Sequence, residues 1–343
     1  MNHYQPHHLL VTGGAGFIGS HFIRYVLTSD PTAKIVNLDK LTYAGSLENL
    51  KDLEHIERYH FCQGDITDIH LVKHVLSHHH IDTIVHFAAE SHVDRSIAAP
   101  STFVETNIMG TYILLEAARY HWFEVEGRSS SQCRFHHVST DEVYGSLKKN
   151  SKAFTEQTAY QPRSPYSASK AGSDHLVYAY YHTYGLPITL SHCSNNYGPY
   201  QHPEKFIPTI IRSCLNHQAI PIYGKGKNIR DWLYVDDHCR GMLDIIKRGK
   251  IGEQYNMGGD NEWENIALAH YICNQLDTLV PYKQPYQSLL QFVLDRRGHD
   301  FRYAIDSGKM KAALLWQPEV SFELGIKNTV GHYLSRHMND VVL

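Results

Sequence analysis

The 343-residue sequence contains no apolar run approaching the roughly 18 residues of a membrane-spanning helix, so no transmembrane segment is expected. The opening residues, Met-Asn-His-Tyr-Gln-Pro-His-His, are polar, and Leu9-Leu10-Val11 is too short for the apolar core of a signal peptide. Cysteine is sparse. The six, at 62, 133, 193, 214, 239 and 273, include no Cys-x-x-Cys, which argues against a disulfide frame or a zinc site and for free buried thiols in a reducing, cytoplasmic setting. Neither sign of charge dominates: 32 Lys and Arg against 35 Asp and Glu leave a formal net charge of -3. A nucleic-acid or membrane partner is therefore not expected. There is no linker rich in Gly, Ser or charge, no internal repeat and no low-complexity segment. With 42% apolar and 20% charged residues, the composition is that of a globular protein of one large or two modest domains.

Two residue types are abundant instead, 26 histidines and 23 tyrosines. No His-Glu-x-x-His or comparable ligand spacing accompanies the histidines, so no metal is expected. His78, His79 and His80 close an expected helix, where adjacent imidazoles point apart and read as a solvated terminus. The enrichment predicts a net charge sensitive to pH near 6.5.

Short β-branched runs alternate with longer amphipathic stretches over the first two thirds. Strands are expected at 8–12, 34–39, 81–86 and 134–139, with helices at 17–27 and 101–120 between them. This alternation predicts right-handed βαβ crossovers and an α/β fold built on a doubly wound parallel sheet. Beyond about residue 195 the pattern loosens into Pro, Gly and Tyr clusters. The expected division is 1–195 for a dinucleotide-binding domain of Rossmann type. Residues 196–343 would form mainly a smaller α/β substrate-binding region, with some segments returning to the first. The two are expected to pack around one cleft.

Gly13, Gly16 and Gly19 follow the first expected strand in G-x-x-G-x-x-G spacing and open the first helix. Missing side chains permit the turn and the approach of a pyrophosphate, and the helix N-terminus offers free N–H groups. Alone the pattern fits a plain turn as well. Asp39, twenty positions after Gly19 at the end of the next strand, suits the hydroxyls of an adenosine ribose. Its charge would repel a 2′-phosphate, which makes NAD the expected cofactor rather than NADP. Asp65 and Ile66 suit an adenine edge, with a helix cap as the alternative for Asp65. Ala88 and Ala89 are small enough for backbone to pass beneath a cofactor.

Tyr166 and Lys170 stand at i and i+4 on one helix face, where an ammonium would favour the tyrosinate and make the phenol a base. Thr140, Asp141 and Glu142 end another strand at the edge where such sheets bind ligands. Thr140 can donate to a sugar oxygen. The adjacent carboxylates repel each other, so one should hold its proton longer, giving one acid and one base. A simple dehydrogenase needs only the tyrosine.

With these residues in view the chain resembles the extended short-chain dehydrogenases acting on nucleotide sugars, through Thr12 to Gly19, Tyr166 to Lys170 and Arg230 to Asp237. More narrowly, Asp39 to Gly45, Ala88 to Ser96, Ser139 to Gly145 and Cys193 to Tyr200 resemble the dTDP-glucose 4,6-dehydratase family, over about residues 8–335. The resemblance implies a redox-neutral cycle on dTDP-glucose with bound NAD. In it Tyr166 is the base for oxidation at C4, Glu142 removes the C5 proton and Asp141 protonates the departing 6-hydroxyl. Lys170 holds the nicotinamide ribose and Thr140 steadies the 4-oxygen. It further implies cofactor contacts at Phe17, Ile18, Asp39, Lys40, Leu41, Thr42, Asp65, Ile66, Ala88, Ala89, Glu90, Ser91, Thr106 and Asn196. Substrate contacts are implied at His92, Asn195, Lys205, Phe206, Pro221, Ile222, Tyr223, Arg230 and Asn265, and at Asp295, Arg296, His299 and Asp300. Arg230 has a reason of its own, since a diphosphate suits a planar bidentate cation; the alternative is a structural ion pair with Asp231 or a neighbour. Tyr223 suits a pyrimidine, or else a core position. Arg297 stands where the family usually has proline, and leaves that loop less preorganised.

A UDP-sugar 4-epimerase would need no acid–base pair, which Asp141-Glu142 supplies. A UDP-glucuronate decarboxylase typically has Thr-Ser-Glu at 140–142, and a GDP-mannose 4,6-dehydratase would favour NADP. A non-catalytic NAD-binding regulator is argued against by the intact Tyr166, Lys170, Asp141 and Glu142. By resemblance a homodimer is expected through helices 101–120 and 166–184. The Tyr178-Ala179-Tyr180-Tyr181 cluster would be buried either there or within the monomer.

Overall fold

The computed structural model describes residues 3–296 and 298–342; position 297, with its departure from proline, lies outside the described residues. Seven parallel strands form the central sheet: β1 (His8–Thr12), β2 (Lys34–Asp39), β3 (Tyr59–Gln63), β4 (Thr83–His86), β5 (Arg134–Thr140), β6 (Ile188–Cys193) and, from much later in the chain, Gln254–Met257. Running across the sheet from that late strand, the order is then β6-β5-β4-β1-β2-β3. The chain winds outward in both directions from the boundary between β1 and β4. This is the doubly wound α/β fold expected from the alternation.

Helices cover both faces. On one face α1 (Phe17–Ser29) shares a core with residues of a helix at 235–248, including Phe22, Ile23, Met242 and Ile246. On the other, α2 (Ile69–His78) packs with the long helical run that follows β4 and with a helix at 165–184, through Leu114, Trp122, Val177 and Tyr180. That run begins as α3 (Val93–Ala98) and α4 (Pro100–Phe103), widens to π-helical turns at 104–110, and continues as α5 (Thr111–Arg119). The expected helix at 101–120 is thus present, but interrupted by π turns. α6 (Pro165–Tyr184) starts where the sequence dictates. Ser164 and Ser167 form a reciprocal capping box, Pro165 takes the first turn, and Gly185 closes the helix at φ +69°.

The central strands are buried on both faces, so their polar residues must find partners inside. His136 of β5 does so between Thr189 Oγ1 (3.0 Å) and Ser191 Oγ (3.2 Å) of β6.

The second region is built from shorter pieces: β7 (Asn195–Tyr197), α7 (Phe206–Leu215), β8 (Ile220–Tyr223), β9 (Ile229–Tyr234), α8 (Val235–Arg248) and β10, the Gln254–Met257 strand of the main sheet. Next come β11 (Glu262–Glu264), α9 (Asn265–Leu279), β12 (Leu290–Val293), α10 (Gly308–Leu314) and α11 (Phe322–Val342). β11-β9-β7 and β12-β8 form two small sheets over a third core, while β10 and α8 return to the main sheet. No helix among the described residues is long and apolar enough to cross a membrane. All six cysteines are free; five are buried and Cys62 is half-buried.

Candidate active site

The strand order reverses between β1 and β4, and doubly wound sheets bind ligands at the carboxyl edge of that point. Three contiguous cavities run along this edge and into the second region, of about 590, 260 and 250 Å³.

The first cavity is lined by Gly13, Asp39, Lys40, Thr42, Asp65, Ile66, Ala88, Ala89, Glu90 and Thr106. Gly13 has φ +71°, and a Cβ there would stand 2.7 Å from the Ala88 amide nitrogen; at Gly19 it would stand 2.4 Å from the Gly13 carbonyl. Only glycine lets these segments approach. Asp39 joins the turn to the loop after β2, accepting from the Ala15 amide (2.9 Å) and the Leu41 amide (2.8 Å). Burial raises its pKa, and those two N–H groups oppose the rise. Lys40 pairs with Asp65 at 2.6 Å. Of the expected cofactor residues, Gly16 is the N-cap of α1 and Leu41 bonds back to Asp39; neither lines a cavity.

The middle cavity collects Phe17, Ile18 and Gly19 from the first turn of α1, Ala89 and Ser91 after β4, and Asn195 and Asn196 of β7. Thr140, Asp141, Glu142, Tyr166 and Lys170 line it together. Thr140 Oγ1 accepts from the Glu142 amide at 3.3 Å and so caps the turn that carries both carboxylates. Asp141 is 2% exposed and its Oδ2 has no partner. Burial, then the neighbouring Glu142 and Asp231 carboxylates, hold its pKa well above the usual range. Burial raises Glu142 too, but Arg230 and Lys205 oppose that rise. Both are raised, and the cations that oppose the rise stand chiefly against Glu142, so the two carboxyls sit in unequal environments. The Tyr166–Lys170 pair differs from expectation. Burial and the Glu142 charge keep the Tyr166 phenol well above its ordinary pKa, while the Lys170 ammonium donates to the Val138 carbonyl at 2.8 Å.

The third cavity is lined by His92, Asn195, Lys205, Phe206, Pro221, Ile222 and Tyr223, and by Arg230, Asn265, Arg296, His299 and Asp300. Glu142 and Lys205 line the middle cavity as well. Arg230 is in no ion pair among the described residues. It donates to the carbonyls of Ile229 (2.7 Å) and Asp300 (3.0 Å), and its guanidinium lies 4.3 Å from the Tyr303 ring. Asp231 faces away, accepting from the Gly259 (2.9 Å) and Asn261 (2.8 Å) amides. Arg296 is held bidentately by Asp94, at 2.6 and 2.7 Å. Asp295 stays outside the lining and orients His299 at 2.7 Å.

Several lining residues were not apparent in the sequence. Tyr303 reaches the site because Arg302 bridges to Ile229, and its hydroxyl donates to Asp300. Glu204 holds Arg95 at 2.6 Å, and Gln201 and His202 line the middle cavity. None carries a local motif.

The family described as GDP-mannose 4,6 dehydratase matches residues 10–329. The chain belongs to this dehydratase family. Among its members, the dTDP-glucose 4,6-dehydratase of Shigella flexneri is 52% identical over 335 residues, 95% of this chain and 92% of the relative. That of Haemophilus influenzae is 47% identical, over 95% and 97% of the two chains. The crystal structure of a dTDP-glucose 4,6-dehydratase from Streptomyces venezuelae, with NAD and dTDP bound, is 46% identical with a TM-score of 0.88, covering 96% of this chain and 98% of that one. A UDP-glucose 4-epimerase from Thermotoga maritima shares the architecture of this dehydratase family at 28% identity and a TM-score of 0.84, over 96% and 99%.

Proposed function

We propose that the chain is a dTDP-glucose 4,6-dehydratase, an NAD-dependent hydro-lyase that converts dTDP-glucose to dTDP-4-keto-6-deoxyglucose and water. The observation that carries this reading is the asymmetric carboxyl pair Asp141 and Glu142 in one cavity with Tyr166 and Lys170. A 4-epimerase has no use for such a pair.

The first two cavities suit NAD. The glycine turn leaves no space where a Cβ would stand, Asp39 closes it with a carboxylate that disfavours a 2′-phosphate, and buried Asn196 Oδ1 and Gln201 Oε1 are without partners. Gly13, Asp39, Asp65 and Thr106 would hold the adenosine half, and Phe17, Ile18, Lys170 and Asn196 the nicotinamide half. NAD held there would supply a hydride acceptor and donor for the sugar.

Tyr166 takes the proton of the 4-hydroxyl, with Thr140 donating to the same oxygen. The 4-ketone acidifies C5, and Glu142 removes that proton. Asp141 delivers its proton to the 6-oxygen, which leaves as water, and Glu142 returns a proton to C5. General acid–base contributions of this kind are worth about 10²–10⁴ each. Arg230 is placed for the diphosphate because no carboxylate pairs with it within 4 Å among the described residues, and Tyr223, 38% exposed at the rim, for the pyrimidine. In this reading NAD lies mainly against 1–195, with Asn196 and Gln201 reaching it, and the nucleotide sugar mainly against 196–343.

We further propose a cytoplasmic homodimer that feeds deoxysugar synthesis of the dTDP-rhamnose kind. Val104, Tyr112 and Tyr184 are 40–50% exposed on the two expected helices. Tyr180, in contrast, is buried in the monomer and donates to Glu116. Supplying dTDP-glucose, UDP-glucose and UDP-glucuronate in parallel and following product mass tests the reading. A product one water lighter from dTDP-glucose is expected. Preference for UDP-glucuronate, with loss of carbon dioxide, would overturn it.

A further inference from the structure

Lys170 presents a problem that its neighbours in the cavity do not solve. Its side chain is 5% exposed, its ammonium bonds a neutral carbonyl, and no carboxylate lies within 4 Å of it among the described residues. Burying a cation without compensation costs several kcal/mol, and such a lysine drifts toward the neutral amine. Asp174 follows four residues later on the same face of α6, fully buried, where neighbouring side chains stand about 5–6 Å apart.

Asp174 is held with unusual thoroughness. Ser139 Oγ, from β5, donates to Oδ2 at 2.8 Å, and His192 Nε2, from β6, approaches the same oxygen at 3.3 Å. His137 Nε2, from β5, pairs with Ser173 Oγ at 3.2 Å and stands 3.2 Å from Oδ1 without hydrogen-bond geometry to it. Behind them His192 is fixed by the hydroxyls of Tyr160 (2.7 Å) and Tyr144 (3.2 Å), and Tyr144 in turn bonds Asn256 (2.9 Å). Burial opposes ionisation of Asp174, yet its two histidines hold its pKa far below the ordinary carboxylate range.

We propose that Asp174, clamped by Ser139 and His192, is a positioning residue: the buried counter-charge that keeps Lys170 a cation beside Tyr166. The surrounding groups leave it this part. From β4 and β5, His86 and His137 are kept neutral by burial, His137 with a pKa lowered to about 4. From β6, Cys193 is a thiol pushed up to about 12 by burial. Tyr144, Tyr160 and, on α6 itself, Tyr178 remain protonated phenols. Asp141 and Glu142 face the cavity and act on Tyr166 instead. Asp174 is the carboxylate that favours the charge of Lys170 against its burial.

This inference rests on the redox role proposed above for Tyr166 and Lys170. Its test is Asp174→Asn, which keeps the shape and an acceptor for Ser139 but removes the charge. Two readouts are taken: the Lys170 titration by NMR of lysine-labelled protein, assigned with Lys170→Arg, and the pH dependence of substrate-induced absorbance at 340 nm in single turnover. Removing a charge at this distance moves a pKa by about one unit or more. In D174N, Lys170 therefore deprotonates about one pH unit or more lower, and the alkaline loss of the oxidation rate moves with it. A D174N protein that is less stable but titrates as the wild type would make Asp174 structural only and overturn the proposal. If D174N does not fold, the wild type still decides: Lys170 charged above pH 8 supports the inference, and Lys170 neutral below pH 7 overturns it. A wild type that gives no 340 nm signal with dTDP-glucose would sink the redox reading, and the NMR titration alone would then judge Asp174.

Discussion

At the scale of single residues the account turns on which carboxyl keeps its proton. Asp141 is held above Glu142 because it is the more deeply enclosed and sits between two other carboxylates, whereas Glu142 faces Arg230 and Lys205. The proposed elimination needs Asp141 protonated and Glu142 ionised. Activity should therefore fall on the acid side as pH drops through the raised pKa of Glu142, and on the alkaline side as pH rises through that of Asp141. Asp141→Asn should lower turnover by about 10²-fold or more while leaving oxidation at C4 intact, because only the elimination needs this acid. The check is rapid mixing with dTDP-glucose, where the 340 nm signal should appear and persist. A D141N enzyme that forms no such signal would place Asp141 in the redox step. Tyr166→Phe should abolish the signal outright.

At the scale of elements, the glycine turn is a statement about clearance. A Cβ at Gly19 would enter the Gly13 carbonyl at 2.4 Å, so Gly19→Ala must push α1 away from the turn. Loss of bound NAD from the purified protein, together with a lower Tm, is expected; full retention of NAD would show that the turn does not hold it. This part of the molecule was legible because its residues are close in sequence: Gly13 to Gly19, Asp39 at the end of its strand, and Tyr166 with Lys170 one turn apart. The parallel sheet could be read from alternation for the same reason. The Asp174 clamp could not, since Ser139, Asp174 and His192 come together only through the side-by-side pairing of β5 and β6 beneath α6. Tyr303 was hidden likewise, and although a return of later segments to the first region was expected, that β10 is the strand which does so was not, because both depend on pairings with distant segments. Polar strands such as Arg134–Thr140 are readable as strands, but not which of their histidines is a structural donor.

At the scale of the whole molecule, histidine abundance acquires a different meaning. His86, His136, His137 and His238 are buried, and burial depresses their pKa values, to about 4 for His137 and about 3 for His238. They do not titrate near 6.5 in the folded protein, which trims the pH sensitivity of net charge expected from composition. The linkage has a definite sign. Their folded values lie below the unfolded one, so the unfolded chain binds more protons below about pH 6.5, and stability is lost as pH falls from there toward 4. Tm should drop steeply between pH 6.5 and 4.5, and a flat Tm across that window would contradict the neutral burial of these rings. The proposed dimer is tested by Tyr112→Glu, an exposed helix position. Light scattering should report the monomer mass with the fold retained, and an unchanged dimer would move the interface elsewhere. The central claim, a redox-neutral elimination run by Tyr166, Asp141 and Glu142 around retained NAD, is tested most directly in deuterated water. The purified protein is given dTDP-glucose and no added NAD. The account predicts a product one water lighter carrying a single solvent deuteron at C5. No loss of water even after NAD is supplied, or a product without deuterium at C5, would contradict it.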